Sequence, residues 1–222
     1  MMFADKGLKR MNQTLSFEGS SIVVDEPSGW NGGLAFVLGH GAGQNMDSTF
    51  MSFFHSGLAT CGFFSVKFNF HYMELGRRPP ERQPKLQATY RGVIDLIQAK
   101  YEPRTLVIGG KSMGGRVSSY IAGEISEIGG LVFLGYPLHP PGQPDKMRDD
   151  HLYELDKPML FISGTRDSLA KQDLMDGVVK KIGERATLLW IEGGDHSLRV
   201  KKSDKESLPA ALKAIQGWSD SL

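Results

Sequence analysis

From about Leu34 onward the chain alternates short apolar, β-branched or aromatic runs with longer amphipathic stretches. The short runs fall at Leu34–Leu38, Phe63–Phe70, Thr105–Ile108, Leu131–Leu134, Met159–Ile162 and Thr187–Ile191, and most carry few charges. Strands covered by helices on both faces read this way, because neither side of the sheet meets water. Between them the spacing predicts helices near Ser48–Ala59, Leu86–Ala99, Gly115–Ala122, Leu174–Ile182 and Ser207–Trp218. Such alternation predicts a doubly wound, mostly parallel α/β sheet with helices on both faces. Ahead of it, Thr14–Phe17 and Ile22–Val24 flank Glu-Gly-Ser-Ser and predict an antiparallel N-terminal hairpin. The Pro- and Arg-dense stretch Gly76–Pro84 reads as a loop after a strand, and no internal repeat breaks the pattern. One domain over residues 1–222, with its core at about 14–220, is the simplest organisation.

Composition narrows the partners. The 222 residues carry 26 basic and 25 acidic side chains, a net charge of +1. That balance gives no electrostatic reason to expect nucleic acid or an anionic membrane. A chain of this size buries roughly 70% of its unfolded surface on folding, so no disulfide or metal staple is needed. Cys61 is the single cysteine, which excludes an internal disulfide and a cysteine-based zinc site and fits a reducing compartment. Asp5, Lys6, Lys9 and Arg10 leave residues 1–11 without the apolar region of a secretion signal. No run approaches the about 18 apolar residues of a membrane span. A cytoplasmic location is the expectation.

Chemistry enters where Thr105–Ile108 runs into Gly109-Gly110-Lys111-Ser112-Met113-Gly114-Gly115, followed by a helical pattern. Residues 110–114 form G-x-S-x-G in a strand–turn–helix context. The motif has a steric logic. A serine thrust out on a sharp turn needs small neighbours, so that strand and helix can close around it. The N–H of the next residue, Met113, then points to where an oxyanion would form. Gly110-Lys111-Ser112 also resembles the end of a phosphate-binding P-loop, but that loop needs glycine at position 105, which is Thr. Phosphate binding is therefore not expected.

His40-Gly41-Ala42-Gly43 follows the Leu34–Leu38 run, and the small residues suit a loop whose N–H groups approach a reacting carbonyl. Ala42 is the expected second oxyanion donor, and His40 a structural residue. Serine acyl transfer also needs a base, and an acid to orient that base. Nucleophile-elbow hydrolases carry these in the order serine, acid, histidine. Asp167 follows Met159–Ile162, and His196 follows Thr187–Ile191, at separations of 55 and 29 residues. All three groups should converge at the carboxyl edge of the sheet, where α/β proteins build their sites. Asp195 and Glu192 are other acid candidates, with Asp195 better suited to a turn. Asp145, Asp149 and Asp150 could serve a variant arrangement. Histidines 55, 71, 139 and 151 do not follow the final strand.

With these residues in place, the chain resembles the α/β-hydrolase group that includes testis-expressed protein 30 and its bacterial relatives. It is more distantly similar to dienelactone hydrolases. The resemblance rests on His40–Gly43, Phe68-Asn69-Phe70-His71-Tyr72, Gly76-Arg77-Arg78-Pro79-Pro80 and Gly110–Gly115. It continues through Gly135-Tyr136-Pro137-Leu138-His139-Pro140-Pro141-Gly142, Gly164-Thr165-Arg166-Asp167 and Gly194-Asp195-His196. Position 71 departs from it, with histidine where the group has proline. The resemblance implies the α/β-hydrolase fold and a Ser112–Asp167–His196 triad. One relative, a subunit of the NSL histone-acetyltransferase complex, implies that the fold can also act as a scaffold.

The leading expectation is a serine hydrolase cleaving a small-molecule carboxylic ester through an acyl-enzyme, with no metal or organic cofactor. A non-catalytic scaffold binding a protein partner is the competing class. Only about nineteen residues, 139–157, precede the next strand, too few for a substantial helical cap. Arg77 and Arg78 should open on the Ser112 edge, either binding a substrate carboxylate or holding their own loop. The sequence assigns no oligomeric state.

Overall fold

The computed structural model describes residues 10–201 and 203–222. Residues 1–9, with Asp5, Lys6 and Lys9 of the N-terminal segment noted above, lie outside that description. Eight strands form one sheet in the order β1-β2-β4-β3-β5-β6-β7-β8. They are β1 (Arg10–Phe17), β2 (Ser20–Pro27), β3 (Leu34–Gly39), β4 (Phe64–Phe68), β5 (Thr105–Lys111), β6 (Ile128–Leu134), β7 (Met159–Gly164) and β8 (Ala186–Ile191). The β1–β2 and β2–β4 pairs are antiparallel, and the other five pairs are parallel. This is the doubly wound α/β-hydrolase architecture with an N-terminal antiparallel hairpin.

The charge-poor runs become central strands because their alternate side chains enter two separate cores. Ala35 and Val37 of β3, Leu106 and Ile108 of β5, and Met159 and Phe161 of β7 face one. Phe36, Leu38, Val107, Leu160 and Ile162 face the other. Helices α3 (Gln83–Tyr101), α4 (Met113–Ile121) and α5 (Gln172–Ile182) cover the first face; α1 (Thr49–Thr60) and α6 (Ser207–Ser219) cover the second. Each fully buried Leu, Ile or Phe contributes about 1.5–3 kcal/mol, so the bilayered packing is the main stabilising term.

The structure departs from the sequence pattern at element ends. The hairpin turn has two residues rather than four: Glu18 and Gly19 both take positive φ (46° and 81°), and Ser20 and Ser21 join β2. Two consecutive left-handed residues match the twist of paired strands, which explains the tight turn. β5 runs on to Lys111, so Gly109 and Gly110 are strand residues and the sharp turn shrinks to Ser112. β6 begins at Ile128, its start hidden by Gly129 and Gly130. A four-residue helix, α2 (His71–Glu74), follows Phe70, in the gap the pattern left unassigned between the Phe63–Phe70 strand and the Gly76–Pro84 loop. Between β6 and β7 the regular structure is a short 3-10 turn, Asp150–Tyr153, so this segment adds no substantial helical cap over the carboxyl edge. Among the described residues no helix is long and apolar enough to cross a membrane.

Candidate active site

Ser112 sits where β5 gives way to α4, with φ 48° and ψ −109°. A non-glycine residue there is strained, and it persists only because its surroundings hold it. The Ser112 N–H donates to the Leu134 carbonyl (3.1 Å), and the Ser112 carbonyl accepts from Arg116 N–H (3.0 Å). Two glycines make room for the turn. A Cβ on Gly110 (φ 135°) would lie 2.0 Å from the Gly39 carbonyl oxygen, and one on Gly114 2.1 Å from the same atom. No side chain fits at either position. The buried Tyr90 hydroxyl accepts the Gly109 N–H (2.9 Å) and reaches the Gly109 and Val37 carbonyls, fastening β5 to β3 just before the turn.

The residues following β7 and β8 complete the arrangement. His196 Nε2 lies 2.8 Å from Ser112 Oγ, and His196 Nδ1 lies 2.8 Å from Asp167 Oδ2. Because Nδ1 faces a carboxylate, it carries the proton, leaving Nε2 to accept from the serine hydroxyl. Asp167 is 3% exposed, and its other oxygen accepts the Leu169 N–H (2.8 Å). Its carboxylate is thus fixed in orientation before the histidine reaches it. Asp195 instead accepts the N–H groups of Ser197 (2.7 Å) and Arg199 (3.1 Å), closing a turn. Asp149 accepts from the Tyr153 hydroxyl, and Asp145 and Asp150 are exposed.

His40, expected to be a structural, hydrogen-bonded residue, is fully buried. Its Nδ1–H donates to the Gly41 carbonyl (2.8 Å), and its Nε2 accepts the Phe70 N–H (3.1 Å). Burial pushes its pKa down to about 4, against the opposing pull of the Gly41 carbonyl. A turn closed by Gln44 N–H to the Gly41 carbonyl (3.2 Å) then presents Ala42 to the same cavity that Ser112 and Met113 line. Met113 opens α4, where backbone N–H groups have no helical acceptor.

A family model described as an alpha/beta hydrolase domain matches residues 33–219. The chain belongs to this family. Solved structures share the alpha/beta hydrolase fold at low identity. A lidless α/β serine hydrolase from Xanthomonas campestris is 20% identical, covering 94% of this chain and 93% of its own, with a TM-score of 0.73. A dienelactone hydrolase from Anabaena variabilis is 17% identical, with coverages of 95% and 96% and a TM-score of 0.74. The esterase domain of a Rhodothermus marinus protein is 16% identical, with coverages of 96% and 98% and a TM-score of 0.69.

In this alpha/beta hydrolase the cavity beside Ser112 is open, about 400 Å³, and walled on its apolar side by Pro80, Leu86, Pro137 and Leu169. Arg77 and Arg78 are exposed and do not line it; a Cβ on Gly43, in the Ala42 loop, would lie 4.0 Å from the Arg78 carbonyl oxygen. The cationic side chains in the lining are Arg116 and Arg148. A third residue escaped the sequence reading. Lys111, the variable position before the serine, is 3% exposed; its Nζ donates to the His196 carbonyl (3.0 Å) and lies 4.7 Å from the Phe50 ring centre. Burial lowers its pKa to about 8, with the Asp167 and Asp195 charges opposing. Position 116, by contrast, was findable: one helical turn brings it back beside Ser112.

Proposed function

We propose that this alpha/beta hydrolase cleaves a small-molecule carboxylic ester through a covalent acyl-enzyme. The observation that carries the reading is the unbroken Ser112–His196–Asp167 hydrogen-bond chain, with both links at 2.8 Å and the serine on a strained turn. Ser112 Oγ bonds to the ester carbonyl carbon while its proton passes to His196 Nε2. Asp167 holds the imidazole in the required tautomer and stabilises its cationic form. The Met113 and Ala42 N–H groups stabilise the tetrahedral oxyanion. His196 then returns the proton to the leaving alcohol as the C–O bond breaks. Water repeats the sequence on the acyl-enzyme, releasing the acid and restoring Ser112. No metal or organic cofactor takes part.

The same reading assigns the chain to the testis-expressed protein 30 group within the superfamily, on the segments that carry that resemblance. It also takes residues 1–222 as one domain in the cytoplasm, without nucleic acid or membrane as partner. The scaffold alternative is weakened by a serine, base and acid held within hydrogen-bond distance, since a purely structural role requires none of them. A fluorophosphonate probe distinguishes the two. Labelling of the wild type, abolished in Ser112→Ala, is the expected result; an unlabelled but folded wild type would favour the scaffold.

A further inference from the structure

Arg116 and Arg148 line the cavity that holds Ser112, and neither guanidinium forms an ion pair among the described residues. Arg116 is fixed by its place on α4, four residues after the serine, with its N–H on the Ser112 carbonyl (3.0 Å). Its Nη1 donates to the neutral Gln83 Oε1 (3.3 Å), while its buried Nε has no partner. Arg148 is held on both sides of its backbone: its N–H donates to the Leu138 carbonyl (2.8 Å), and its carbonyl accepts from the Tyr136 hydroxyl (3.0 Å). Burial and the neighbouring Arg116 charge both push the Arg148 pKa down, and no carboxylate is among the charges that oppose them. The other ionisable groups in the lining are His139 and Glu81, whose ion pair is with Lys85 at 3.7 Å.

Two nearby guanidiniums without a counter-ion repel each other and give up hydration, a cost that an occupying anion would reverse. Guanidinium is planar and always charged, and its forked donors match a carboxylate. We propose that Arg116 and Arg148 form an anion subsite beside Ser112 that holds the free carboxylate of a half-ester of a short dicarboxylic acid. The apolar wall of Pro80, Leu86, Pro137 and Leu169 takes the methylene chain, and the arginines take its charged end. The substrate class rests on the hydrolase reading above, whereas the binding site does not.

Two measurements separate these. In the Ser112→Ala background, NMR titration with monomethyl glutarate and its neutral isostere methyl glutaramate reads binding alone. The anion should bind at least about tenfold more tightly, and Arg116→Gln or Arg148→Gln should remove that advantage. Arg148→Lys, which keeps the charge but loses the fork, should retain part of it. Equal binding of the two esters, or a preference untouched by both arginine variants, would overturn the subsite. Inorganic phosphate binding more tightly than monomethyl glutarate would overturn its assignment to carboxylate. With Ser112 present, kcat/KM on the two esters should show the same preference, and the arginine variants that melt like the wild type should show the same loss. Absent labelling and turnover in the wild type would sink the hydrolase reading while the titration still decides the subsite.

Discussion

His196 and Asp167 are held mainly by polar contacts, so their roles in chemistry and in folding can be separated. The His196 side chain is 25% exposed and its ring nitrogens reach Ser112 and Asp167. His196→Ala should therefore reduce p-nitrophenyl ester hydrolysis to near background, leaving only the residual ~10³–10⁴ above water expected without a triad member. The melting transition should stay in place; retained turnover would remove His196 as the base. Asp167→Asn is nearly isosteric, and its Oδ1 can still accept the Leu169 N–H. It should lower kcat by up to ~10⁴-fold by presenting the wrong histidine tautomer. Asp145→Asn and Asp150→Asn, at exposed positions, should leave kcat unchanged. The reverse pattern would move the acid to the segment after β6. The order and strand-end positions of Ser112, Asp167 and His196 made this constellation legible, because each follows a strand whose apolar run is unmistakable. Lys111 was not legible, since the motif leaves its position free and its partner, the His196 carbonyl, is 85 residues away. Arg148 was equally hidden, in an irregular segment with no periodicity to place it.

At the scale of elements, the same substitution should have opposite signs in two helices. Alanine in place of a helical glycine normally gains about 1 kcal/mol through propensity. Gly177 lies within α5, and a Cβ there meets nothing within 4 Å. Gly177→Ala should therefore stabilise by about 0.5–1 kcal/mol, read as a higher urea midpoint at unchanged slope. Gly114 lies in the first turn of α4, where a Cβ would stand 2.1 Å from the Gly39 carbonyl oxygen. That oxygen belongs to β3 in the middle of the sheet and cannot retreat without breaking the ladder. Gly114→Ala should cost about 3 kcal/mol or more, outweighing its propensity gain. A wild-type midpoint for Gly114→Ala would refute the close approach of α4 to β3. The comparison also shows why element existence was readable while element ends were not. Leu131–Leu134 announces a strand through its side chains, but Gly129 and Gly130 earn their place in β6 through what packs on them. A Cβ on Gly130 would lie 2.6 Å from the Trp218 ring, a residue 88 positions away. Local pattern carries no record of such a contact.

Across the whole molecule, the parallel strands deliver Ser112, Asp167 and His196 to one edge, and a histidine ties together the loops there. His40 links the loop after β3 to the start of α2 through Phe70, in a site with no room for a second proton on the ring: Nδ1 already donates and Nε2 must accept. Its pKa in the folded chain is about 4, against 6.5 for an ordinary histidine. His151 is likewise depressed to about 4, by burial and then by the nearby Arg116 charge. The unfolded chain takes up these protons near pH 6.5, and the folded chain only near pH 4. Between those values the unfolded state holds more protons, so acid favours it. Stability present above pH 6.5 should therefore decline progressively toward pH 4, with His40 contributing at most about 3 kcal/mol. Carboxylates with ordinary pKa values titrate mainly below about pH 4.5, so the interval from pH 6.5 to 5 isolates the histidines. Urea titrations across that interval should show falling unfolding free energy in the wild type and a shallower fall in His40→Gln, whose amide oxygen can still accept the Phe70 N–H. An identical slope in the two proteins would show that His40 is not the group whose protonation opens this edge of the sheet.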